Sequence, residues 1–160
     1  MSWLQYAQLM VLPKIPYDDF YTYIIERLQP VAGEHTSTIA DSILSTTQCH
    51  PYYTQQLASQ VWEILAYRQG DSNVVETAIE QLVMTHDLDY ERLWLTFNRT
   101  DKRVFQSLCR KESPLENRQL PTSTLYSSVK KLMQQGYLIR SSVYEIEDPF
   151  FMRWIQAKQL

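Results

Sequence analysis

From Pro16 to Met133 the apolar residues recur every three or four positions, and only at Tyr137–Glu147 does their spacing fall to two. A 3.6-residue period over most of the chain and one alternating stretch near its end leave room for a mainly α protein with one β-hairpin. Tyr17, Phe20, Tyr21, Ile24, Ile25 and Leu28 share the face of a first helix opened by Pro16, with Asp18 and Asp19 at its positive end. Pro30 and Gly33 are expected to stop it. Ser37 is the expected cap of a second helix that turns Ile39, Ala40, Ile43 and Leu44 inward. Pro51 suits the first position of a third, where its missing N–H has no intrahelical partner. Leu57, Ala58, Val61, Ile64 and Leu65 supply that helix's stripe, and Gly70 ends it. A fourth, capped by Ser72, carries Val75, Ala78, Ile79, Leu82 and Val83. Four such helices with short connections describe a small bundle.

After His86-Asp87-Leu88 the pattern restarts. Tyr90, Leu93, Trp94 and Phe97 mark one helix, and Thr100 is the expected cap of another bearing Val104, Phe105, Leu108 and Cys109. The polar stretch Lys111–Pro121 has room for a turn and one short helix. A further helix, capped by Ser123, carries Leu125, Val129, Leu132 and Met133, with Gly136 at its left-handed end. Tyr137–Arg140, a Ser141-Ser142 turn and Val143–Glu147 then read as a hairpin. Helix, short helix, helix, hairpin is the order of a winged helix-turn-helix. Before the first helix, Gln8–Leu12 reads as a short strand closed by Pro13.

Composition narrows the function classes. The hydrophobic share of 44%, with 11 Tyr, 5 Phe and 4 Trp, suffices for a core. No apolar run approaches the roughly 18 to 20 residues a membrane span needs, so no membrane partner is expected. Cys49 and Cys109 lie far apart without metal-ligand spacing, as reduced thiols of a cytoplasmic protein do. His35, His50 and His86 are scattered, so no metal is assigned. No nucleophile has a readable base beside it, so no catalytic residue is assigned and the chain by itself is not expected to be an enzyme. The net charge of −3 conceals a division: residues 1–100 carry five Lys/Arg against twelve Asp/Glu, and residues 101–160 carry ten against six. That asymmetry fits two modules with different partners.

Three segments carry a resemblance: Leu12-Pro13-Lys14-Ile15-Pro16-Tyr17-Asp18-Asp19-Phe20, Cys49-His50-Pro51-Tyr52-Tyr53-Thr54-Gln55-Gln56-Leu57, and Asp148-Pro149-Phe150-Phe151-Met152-Arg153-Trp154-Ile155. In this order the chain resembles, from about residue 8 to 155, the C-terminal half of prokaryotic AAA-type ATPases of the archaeal ATPase family. These are related to the signal-transduction ATPases with numerous domains. The resemblance implies three parts: residues 1–14 as a remnant of the ATPase core strand and linker, 15–88 as a helical lid, and 89–160 as a winged helix closed by an Asp-Pro-Phe-Phe box and an aromatic helix. It implies that His50, Pro51 and Tyr52 contact the adenine of ATP in an intact parent that also binds Mg. Cys49 stands where the family has glycine, and no arginine follows Pro51 in the first turn to reach a γ-phosphate. A P-loop and an acidic metal motif have no counterpart here, so the chain is expected to be an excised piece or one that needs a separate P-loop core, with no ATP bound by it alone.

Without the resemblance, the favoured reading is Pro51 as no more than a helix-opening proline and His50 as an exposed cap. On the third winged-helix helix and the wing, Lys130, Lys131 and Arg140, with Thr124 and Ser127, are the expected contacts to DNA or to a protein. Three cations make a thin patch, and Glu145 and Glu147 oppose a polyanion, so a protein partner ranks ahead of DNA. The rival reading is a stand-alone winged-helix transcriptional regulator. Phe150, Phe151 and Trp154 are expected to fold back over the core of their own module.

Overall fold

The computed structural model describes residues 14–67, 73–116 and 120–160, and within them the chain divides into two compact units, Met1–Val75 and Glu76–Leu160. The Gln8–Leu12 strand, Gly70 and Ser72, and all but the last residue of the expected 1–14 remnant, lie outside the described residues.

In the first unit, α1 (Tyr17–Ala32) follows Pro16, whose extended ψ of 138° turns the chain into the helix. Phe20, Ile24 and Leu28, four residues apart, form its buried seam. Pro30 does not stop it. The ring lies on the exposed side of the last turn, so the helix forfeits one bond and runs on to Ala32. Gly33, at φ +56°, is the stop, its N–H returning to the Gln29 carbonyl. A single 3₁₀ turn (Gly33–His35) leads directly into α2 (Thr36–Thr47), so the expected cap Ser37 is an exposed residue of the first turn. Thr36 precedes it, buried, with its hydroxyl donating to the Gly33 carbonyl at 2.6 Å. Ile39, Ala40, Ile43 and Leu44 are buried as expected, and α3 (Pro51–Tyr67) buries Leu57, Val61 and Ile64. The hydroxyls of Thr47 and Thr54, both buried, satisfy each other at 2.6 Å.

The second unit takes in nearly all of α4 (Val74–Thr85), where Glu76 meets Arg153 at 3.3 Å. The division expected after residue 88 therefore falls inside this unit. Next come α5 (Asp87–Thr96) and α6 (Arg99–Cys109). The cap of α6 is Asn98, two residues before the expected Thr100. Its side chain accepts from Asp101 N–H at 2.9 Å while the Asp101 carboxylate accepts from Asn98 N–H at 3.2 Å. Between α6 and α7 (Thr122–Gln134) the described residues make turns at Arg110–Lys111 and Pro114–Leu115, not the expected short helix. Helix α7 follows Pro121 without a side-chain cap, so Ser123 also lies within its first turn.

Leu125, Val129 and Leu132 of α7 are buried, but Met133 is 37% exposed and Ser128 is buried in its stead. Gly136, at φ +82°, ends the helix: its N–H reaches Met133 O and that of Tyr137 reaches Leu132 O. That reversal launches β1 (Leu138–Arg140), antiparallel to β2 (Tyr144–Ile146), with Leu138 opposite Ile146 and both buried. Finally α8 (Pro149–Lys158) returns Phe150, Phe151 and Trp154 to the core, each at most 2% exposed. Rings of Tyr90, Trp94, Phe97, Phe105, Phe151 and Trp154 meet at centroid distances of 4.8 to 6.4 Å.

Candidate functional site

The corner between α2 and α3 is held by backbone geometry that L residues adopt at a cost. Gln48 and Cys49 are both left-handed, at φ +50° and +58°. Cys49 N–H reaches Leu44 O at 3.3 Å and His50 N–H reaches Thr47 O at 3.0 Å, closing the end of α2. The segment entering α1 is tied to the same corner: Ile15 N–H donates to Cys49 O at 3.3 Å, and Lys14 Nζ to Gln48 Oε1 at 2.9 Å. Pro51 then starts α3, and the His50 carbonyl accepts from Thr54 N–H at 2.9 Å.

The three expected nucleotide contacts are thus consecutive but unequal. Tyr52 is 60% exposed, its ring edge-on to Tyr53 at 5.3 Å. His50 is half-buried with its ring 4.6 Å from that of Tyr53, and Pro51 is half-buried between them. Beside the corner, the Tyr17 hydroxyl donates to the Asp41 carboxylate, and this bond is the main reason its pKa is pushed up to about 12. Burial pushes the Cys49 thiol up against the pull of Lys14, so it is held as a thiol and is a poor nucleophile. The corner offers an aromatic face, not a reactive group.

The expected partner contacts on α7 and the hairpin are not equally free. Thr124, Ser127 and Lys130 are exposed, with Ser127 Oγ donating to Ser123 O at 2.9 Å. Arg140 is exposed and holds its guanidinium 5.0 Å from the centroid of the Tyr144 ring. Lys131 is committed elsewhere. Its Nζ lies 2.6 Å from Asp101 Oδ2, and that carboxylate is 2% exposed and also accepts from Ser128 Oγ at 2.5 Å. Asp101 therefore completes the capping box of α6, which Asn98-x-x-Asp101 could have signalled in sequence, and also fastens α7 to α6. The outward face of α7 holds Tyr126, 54% exposed, and Met133, neither of them expected from sequence as a contact.

Two further carboxylates lock α8. Asp148 accepts from Phe150 N–H at 2.8 Å, Phe151 N–H at 3.1 Å and Tyr90 Oη at 3.0 Å. Asp87 accepts from Trp154 Nε1 at 2.7 Å and Lys158 Nζ at 2.5 Å, and these donors, Lys158 first, hold its carboxyl below the ordinary range. Among the described residues no group of three His, Cys, Asp or Glu is gathered to hold a metal ion, and no helix is long and apolar enough to cross a membrane. No family model matches the sequence, and no curated protein or solved structure is significantly similar to it.

Proposed function

We propose that this chain is the lid and winged-helix part of a P-loop ATPase. The first unit would lean on the adenine of ATP held by a core outside these residues, and the second would dock a protein partner. One observation carries the nucleotide half. Cys49 adopts the left-handed backbone that glycine takes freely, at the position where the resembling family has glycine. The Gly-to-Cys change therefore leaves the corner's path intact, with Pro51 at the head of α3 and Tyr52 exposed beside it. These residues suit a flat base. They do not suit a triphosphate, because the nearby cation, Lys14, is occupied by Gln48 and no arginine lies in the first turn of α3. Mg and the phosphates belong to the core, and this chain alone is not an ATPase.

The docking half rests on Lys131. With its charge spent on Asp101, the outward face of α7 offers Lys130, hydroxyls, Tyr126 and Met133, a surface closer to a protein interface than to a phosphate track. The test is affinity capture of the tagged chain from its source cells with mass spectrometry. The expected result is a P-loop ATPase polypeptide whose recovery is lost in the His50→Ala/Tyr52→Ala variant, the helical circular dichroism being unchanged. Retention of that polypeptide by the variant rejects the nucleotide corner. Duplex DNA binding with a Kd below about 1 μM at physiological salt, lost in Lys130→Ala/Arg140→Ala, selects the stand-alone DNA-binding regulator instead.

A further inference from the structure

Helix α6 and its C-cap carry three arginines whose charge the fold does not pair. Arg99 and Arg103 of α6 and Arg110 at its C-cap lie four and seven residues apart, within about 40° of arc and about 16 Å of helix, with Gln106, which donates to the Gln159 carbonyl at 2.7 Å, between the last two. Arg99 and Arg110 are exposed and Arg103 is half-exposed. None of the three forms an ion pair among the described residues, whereas Lys131, Arg153 and Lys158 of the same unit each do. Lys102 flanks the stripe with its ammonium 5.5 Å from the centroid of the Trp94 ring.

This placement works against the helix. Arg99, Lys102 and Arg103 crowd the first turns of α6, where the helix dipole is already positive. Arg99 and Arg103 are also a like-charge pair one turn apart, an arrangement that destabilises an isolated helix. On its other side α6 is well provided for, with the Asn98–Asp101 capping box and buried Val104, Phe105 and Cys109. A helix built with such care on one face and against its own electrostatics on the other points to carboxylates supplied from outside.

We infer that the Arg99–Arg103–Arg110 stripe is a docking strip for an acidic segment of a protein partner. Guanidinium forks match carboxylates in a planar, two-bonded geometry, and three of them span one short segment. A nucleic-acid backbone has the same bonding chemistry but would run past the helix, where Glu112 and Glu116 follow Arg110. The inference rests on the docking role of the second unit and not on the adenine corner.

Fluorescence anisotropy of the full chain against labelled poly-L-glutamate and, separately, labelled duplex DNA tests it at low and physiological salt. Poly-L-glutamate should bind in a salt-sensitive manner, about tenfold more weakly to Arg99→Gln/Arg103→Gln/Arg110→Gln, and equally well to Lys130→Gln/Arg140→Gln. The triple variant should also melt no lower than the parent, because it removes repulsion and no ion pair, and glutamine keeps most of each arginine's stem. Absent or unchanged poly-L-glutamate binding, or a triple variant that melts lower, overturns the docking strip. DNA bound more tightly than poly-L-glutamate and lost in the same variant overturns the choice of partner. A P-loop ATPase lost through Tyr52 with an unaffected stripe, or the reverse, separates this inference from the nucleotide reading.

Discussion

Single side chains in this protein are bound by two opposing demands, and substitutions can separate them. Asp148 caps α8, yet burial lifts its carboxyl above the ordinary range, outweighing the Phe151 and Phe150 amides, the Tyr90 hydroxyl and the charge of nearby His86. A carboxyl raised in the folded state contributes stability that is full below its unfolded value and is lost as pH rises through its folded one. Asp148→Asn keeps an acceptor for the cap without a buried charge. Its melting temperature relative to the parent should therefore climb between pH 4 and pH 7, whereas Asp148→Ala, which also loses the cap, should start about 1–2 kcal/mol below the parent at pH 4 and close part of that gap as pH rises. Calorimetry over that range decides it, and a falling difference would reverse the sign. At the other corner, Cys49→Gly should stabilise the chain by about 0.5–1 kcal/mol, since glycine takes φ +58° without a Cβ clash. Lys131→Ala should cost about 1–2 kcal/mol by leaving Asp101 short of a partner, while Lys130→Ala should be neutral in urea titration. Equal costs for the two lysines would mean that the Asp101 pair carries no stability.

Elements were legible where burial dictates sequence and obscure where side-chain chemistry does. The seam of α1 at Phe20, Ile24 and Leu28, the Pro51 start of α3 and the Gly136 stop of α7 all follow from spacing and backbone restriction. Caps were harder. Ser37, Thr100 and Ser123 are all good cap residues by type, but a helix needs only one path into its first turn. A preceding 3₁₀ turn, Asn98 with Asp101, and Pro121 take those places. The phase of α7 was read correctly at Leu125, Val129 and Leu132 and incorrectly at Met133, because apolarity alone does not disclose that Asp101 draws Ser128 inward. In the candidate sites the reading of the α2–α3 corner as an adenine contact came only through resemblance. The commitment of Lys131 depended on a partner 30 residues away that no local pattern reveals. Val129→Asp tests the α7 reading. A carboxylate at a position 1% exposed should cost several kcal/mol and disrupt the packing of β1 on α7, and an unchanged melt would mean that α7 is turned the other way.

At the scale of the molecule, two separate cores should respond separately. Hydrogen exchange on Val129→Asp should find the amides of α5 to α8 exposed while those of α2 and α3 keep their protection. Loss in both would mean a single cooperative unit. The carboxylate ties of α8 have a temporal meaning as well. Tyr90 meets Asp148 and Asp87 meets Trp154 across 58 and 67 residues, whereas α1, α2 and α3 meet their neighbours within a few dozen. Synthesis is vectorial, so the first unit can close while later codons are still being read. The second cannot. Until α8 leaves the ribosome, Tyr90, Trp94, Phe97 and Phe105 have no Phe151 or Trp154 to lie against, and they form an open aromatic bowl. For that interval the nascent chain is half finished and adhesive, and holdase chaperones should crosslink to α5 and α6 in ribosome-stalled chains ending before Asp148 but not in those carrying α8 beyond the exit tunnel.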